Sequence, residues 1–177
     1  MNKWYVHDNV IELSDYDYYN QWIGTIISTN YLGGLLGGYF DKHEKNGNIL
    51  EKHAEFLRVN INLVKDDTFR NLLNDFEEKF YKLIDLDKEA ITILAGVLGL
   101  EVPKISQDYK TLYKKLVKEK RSINVNGFLS HPAFDEARQR FSKIQEQQVV
   151  LGDKIISYIL VVFPDLASSE YLSSRKA

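Results

Sequence analysis

The stretch DKHEKNGNILEKHAE gathers two of the four histidines of this 177-residue chain among carboxylates. His43 and His53 flank a turn, with Asp41, Glu44, Glu51 and Glu55 close by in sequence. Imidazole nitrogens and carboxylate oxygens together suit zinc, iron or manganese. These residues are therefore where a metal-dependent hydrolase centre would sit. The spacing differs from HExxH, in which two histidines four apart share one helical face. Charged residues around a turn are more often solvated, and no metal or other cofactor is expected. His43 and His53 stand as the metal candidates.

Other catalytic signatures are missing. The carboxylate pairs Glu77/Glu78 and Asp85/Asp87 fall on the polar face of a helix or in the turn that ends it, where solvation is the expected role. There is no GxSxG elbow for a serine nucleophile. Cysteine is absent, which removes disulfides, thiolate metal sites and a thiol nucleophile. The segment GGLLGG places Gly33 and Gly38 at P-loop spacing, but Tyr39 and Phe40 follow where Lys and Ser or Thr would bind phosphate and metal. Its glycines instead form the pairs Gly33–Gly37 and Gly34–Gly38. On a helix these would let a second backbone come close. Each interior glycine costs a helix about 1 kcal/mol relative to alanine. The segment is expected either to pack tightly against another helix or to break its own.

Two charged surfaces remain. Lys110, Lys114, Lys115, Lys118 and Arg121 make a basic helical face, suited to phosphates or to an acidic protein. At the other end, Trp4, Asp15, Tyr16, Asp17, Tyr18 and Tyr19 combine aromatic and acidic side chains, suited to a basic partner. The formal net charge is −2, so global charge favours neither nucleic acid nor membrane.

The elements that must position these residues read as helices. WYV-HDN-VIEL gives a small amino-terminal hairpin. Ser14 caps a helix expected to reach Phe40, with Asp17 three residues on. A second helix follows the HEKNGN turn. A third starts at Asp66–Asp67 and stops at the DLD of residues 85–87, where Asp87 caps a fourth, AITILAGVLGL, apolar nearly all round. Ser106 caps a basic fifth. The last helix carries a heptad seam from Phe134 to Val162, through Ala137, Phe141, Ile144, Gln148, Leu151, Ile155 and Tyr158. That seam suits either a central helix of a bundle or self-association into a homo-oligomer. Residues 18–40 carry no charge, yet their polar residues and glycines argue against a membrane span.

These observations predict an all-α, or nearly all-α, single bundle of about six helices over residues 1–165, with a frayed tail over 166–177. The amino terminus does not resemble a secretory signal, and the lack of cysteine fits the cytoplasm. No motif fixes a chemistry. The expected role is a non-enzymatic interaction protein: a regulator, inhibitor or small subunit, for example an antagonist of a toxin or host factor. The alternatives are a nucleic-acid-binding accessory protein using the Lys110–Arg121 face and a hydrolase at His43 and His53.

Overall fold

A computed structural model describes residues 2–35, 43–44, 47–97, 99 and 132–176. The fold is mostly helical. Strands β1 (Asn2–Val6) and β2 (Asn9–Leu13) precede helix α1 (Asp15–Asn30). The two-residue strands β3 (His43–Glu44) and β4 (Gly47–Asn48) pair with each other where a plain turn was expected. Helices α2 (Ile49–Leu63), α3 (Asp67–Val97) and α4 (Pro132–Val162) follow, then a 3-10 turn (Pro164–Ser168) and helix α5 (Glu170–Lys176). The described residues thus hold five α-helices; the basic helix expected beyond Ser106 lies outside them.

Local chemistry sets most boundaries. In the first hairpin Val6 pairs with Asn9, leaving His7 and Asp8 as a two-residue turn, both with positive φ (48° and 64°). That is the type I′ geometry, whose twist matches that of the flanking strands. The Ser14 side chain accepts the Asp17 N–H and donates to the Asp17 carboxylate, so the predicted cap starts α1. Asp66 accepts the N–H groups of Thr68 and Phe69 and starts α3 in the same way.

Three boundaries differ from expectation. Helix α1 stops at Asn30 rather than Phe40, and the Tyr31 N–H closes it onto Ser28 and Thr29. Gly33 and Gly34 are non-helical and follow the end of α1, while Gly37 and Gly38 lie outside the described residues. Next, α3 runs unbroken through residues 85–87. Asp87 is buried, one step further along the stripe of Phe76, Phe80 and Leu83, so it neither caps a helix nor faces water. An acid on an apolar face reads as a break in sequence. Last, the segment beyond Pro164 folds back rather than fraying. Leu166 and Leu172 are buried, and the Ser169 hydroxyl donates to Asn20 on α1 at 2.6 Å.

The backbone groups into two compact units. The first combines residues 1–31, 51–80 and 147–177. Its core is aromatic: Trp4 lies edge-on to Trp22, Tyr18 and Phe56, with ring centroids 5.1, 5.9 and 5.3 Å away. Phe69 meets Trp22 edge-on and stacks on Tyr158 at 5.4 Å. The second unit combines residues 32–50 and 81–146. There Leu83, Leu86, Ile91, Phe134 and Phe141 are buried, and Arg140 of α4 pairs with Glu89 of α3 at 3.1 Å.

Candidate interaction surface

The hairpin is held to the first unit through one of its two edges. Asn60, on α2, is 2% exposed and turns its side-chain amide to the outer edge of β1. Its Oδ1 accepts the Tyr5 N–H at 2.8 Å, and its Nδ2 donates to the Tyr5 carbonyl at 3.0 Å. One side chain thereby supplies the donor and acceptor that a third strand would bring. Because the Tyr5 backbone points outward, Tyr5 and Val10 form a non-hydrogen-bonded pair of the antiparallel ladder. Val10, and by alternation Glu12, then also turn their backbone groups away from β1. Among the described residues, no hydrogen bond reaches those groups.

Side chains alternate across the hairpin. Trp4, Val6 and Leu13 turn to the core, while Lys3, Tyr5, Val10 and Glu12 face the other way. Val10 is 54% exposed and Ile11, on the core-side face of the outer strand, is 42% exposed. The Tyr5 hydroxyl lies 2.9 Å from Asp8 and 3.1 Å from Glu55, and donates its single proton to one at a time. Hydrogen bonding to Asp8, more than any other cause, pushes this phenol up to about 12. Asp8, Glu12, Asp15 and Asp17 are all exposed, and Lys3 is the one lysine or arginine in the first 41 residues.

The aromatic–acidic set is divided by this geometry. Trp4, 3% exposed, and Tyr18 belong to the core, which corrects their reading as surface residues. Tyr19 is half-buried. Burial, then the nearby Asp15 and Asp66 carboxylates, raise its pKa. Tyr16 is exposed on one side and packs edge-on against Phe163 at 5.6 Å on the other. Asp15 accepts the Asn2 side-chain amide at 2.7 Å and Asp17 completes the Ser14 cap, so each also serves the fold. Val10 and Ile11 were missed in the sequence. The alternating pattern was their signal, since adjacent apolar residues on an edge strand cannot both face the core.

A cleft of about 220 Å³ lies nearby, lined by Lys3, Tyr18, Tyr19, Lys65, Asp66 and Phe69 among others. Asp66 accepts the Tyr158 hydroxyl there, which more than any other contact lowers its pKa, while Tyr158 is pushed up to about 12.

The remaining candidates separate from this surface. His53 Nε2 lies 2.6 Å from the Thr29 hydroxyl, with its ring against Phe80 and Phe56. Thr29 donates its own proton to the Thr25 carbonyl, so His53 is the donor, protonated on Nε2. Burial holds its pKa down at about 4. Among the described residues no group of three or more His, Asp or Glu is placed to hold a metal ion. His43 lies in β3. Gly33 lies in a loop, and a Cβ built on Gly34 would meet nothing within 4 Å among the described residues. Gly37, Gly38, Lys110, Lys114, Lys115, Lys118 and Arg121 lie outside the described residues. The heptad seam is largely used within the chain: Phe134, Ala137, Phe141, Gln148 and Ile155 are buried, and of the nine only Val162 is exposed. Among the described residues no helix is long and apolar enough to cross a membrane. No protein-family model, curated protein or solved structure matches the chain.

Proposed function

We propose that this chain acts by contact, as a regulator, inhibitor or small subunit that docks a basic polypeptide on its amino-terminal hairpin. One observation carries the reading. Four exposed carboxylates, Asp8, Glu12, Asp15 and Asp17, alternate in sequence with the exposed Val10, Ile11 and Tyr16, and Lys3 is the only lysine or arginine in this amino-terminal stretch of sequence. Negative charge among exposed apolar side chains steers a basic partner and suppresses acidic ones, while the apolar side chains on either face of the hairpin supply affinity. A cysteine-free chain suits such a role in the reducing cytoplasm. An antagonist of a basic toxin or host factor is one member of this class.

The test compares the native protein with a variant neutralised at Asp8→Asn, Glu12→Gln, Asp15→Asn and Asp17→Asn. These replacements keep shape and most hydrogen bonding. Both proteins are used to capture partners from native lysate, and bound proteins are identified by mass spectrometry. A stoichiometric protein held by the native chain and lost from the variant is the expected result. Identical captured sets would sink the reading.

A further inference from the structure

We infer that docking at the hairpin proceeds by strand addition: an extended segment of alternating basic and aliphatic residues pairs antiparallel with the outer edge of β2. The inference rests on the contact reading above and specifies its mode. A two-stranded sheet has two edges, and here they are unequal. The Asn60 amide occupies the β1 edge at Tyr5. Along β2, the outward N–H and C=O groups of Val10 and Glu12 have no hydrogen bond among the described residues. A row of free backbone groups is a template for an incoming strand, whose main chain supplies affinity and whose side chains supply selectivity.

The side chains on β2 select the occupant. Residues directly opposite each other on paired strands share a face. Partner residues opposite Val10 and Glu12 lie on the face where Tyr5, Asp8 and Glu55 also gather, so a lysine or arginine fits opposite Glu12. Between them, a partner residue opposite Ile11 lies on the other face and meets an exposed aliphatic side chain. The occupant is therefore basic and aliphatic in alternation. A second copy of this hairpin is a poor occupant, because it brings Asp8, Glu12, Asp15 and Asp17 against the same four carboxylates.

The test uses an acetylated and amidated peptide of seven residues, lysine alternating with valine, and the isotope-labelled full chain. In an antiparallel pair, the lysines opposite Val10 and Glu12 are the residues that exchange backbone hydrogen bonds. N-methylation of the lysine backbone nitrogens should weaken binding about tenfold or more, while N-methylation at the valines should leave it near the parent value. On binding the parent peptide, the Val10 and Glu12 amides should gain hydrogen-exchange protection of about tenfold or more. Val10→Pro removes an outward N–H that the hairpin ladder does not use, and should weaken binding about fivefold. Exchange at the Trp4 and Val6 amides checks that the hairpin persists in this variant.

Equal binding by both methylated peptides overturns strand addition, as does protection confined to residues outside β2. Concentration-dependent protection of Val10 and Glu12 without peptide assigns the edge to a second copy and also overturns it. If the four-fold neutralised variant loses its lysate partner while the two methylated peptides bind alike, contact docking stands and strand addition falls. If that variant captures the same proteins as the native chain and the parent peptide does not bind, both fall.

Discussion

At the scale of single residues, His53 shows what burial does to a titratable group. Its imidazole drops from 6.5 to about 4, because enclosure beside Phe80 and Phe56 penalises the cation. The unfolded chain therefore takes up this proton first as pH falls. The stability tied to neutral His53 is complete above about pH 6.5 and is lost as pH falls through about 4, roughly 3 kcal/mol in all. Urea unfolding of the native protein and of His53→Gln at pH 7 and pH 4.5 checks this. The variant should lose distinctly less stability between the two conditions, and equal losses would assign the acid sensitivity elsewhere. Sequence singled out His53 as a metal candidate, and the fold encloses it as a hydrogen-bond donor to Thr29. Its neighbours Thr29 and Phe80 lie more than twenty residues away on either side, and only the fold brings them to it. Tyr18 shows the same limit, since nothing in the run Tyr16, Tyr18 and Tyr19 says which ring turns inward.

At the scale of elements, periodicity and caps were legible and interruptions were not. Ser14, Asp66 and the stripes of α2 and α3 appear where spacing placed them, because caps and apolar faces are local. The end of α1 falls just before the GGLLGG glycines, while nothing local to Asp87 marks α3 as continuous there. Close helix contacts also fall at glycines that carried no sequence signal. A Cβ at Gly152 would approach Ile26 to 3.0 Å and the Asn30 amide to 3.1 Å, between α4 and α1. A Cβ at Gly24 would meet the ring of Tyr171, on α5, at 2.9 Å. Helix propensity favours alanine at either site by about 1 kcal/mol, and overpacking opposes it by about 1–3 kcal/mol. Gly152→Ala should therefore destabilise by about 0–2 kcal/mol, because its neighbours lie inside the unit. At Gly24 the ring of terminal α5 can swing away, so Gly24→Ala should cost less in global unfolding. It should instead speed amide exchange across α5. Denaturant midpoints together with hydrogen exchange separate the two outcomes.

For the whole molecule, fold class was legible because apolar residues at helical spacing dominate the chain. Each of the two units draws on segments distant in sequence, a grouping that local periodicity does not encode. The carboxy terminus was misread for a related reason. Its Leu166 and Leu172 are sparse in sequence yet buried, and the same segment is tied to α1 by the Ser169–Asn20 hydrogen bond and by the approach of Tyr171 to Gly24. Truncation after Ser168 should lower unfolding free energy by about 3 kcal/mol, from the lost burial of Leu172 and Tyr171. Unchanged stability on calorimetry would show that α5 is dispensable. The Asn60 amide has a wider consequence. By standing in for a strand at Tyr5, it takes up one of the two outward-facing backbone positions of β1, the other being Lys3. A sheet open on both sides can propagate into a fibre, each copy joining two neighbours. If a strand adds along β2, the Asn60 bonds leave only Lys3 to offer outward backbone groups on the β1 side, so this hairpin is better suited to end a sheet than to propagate one.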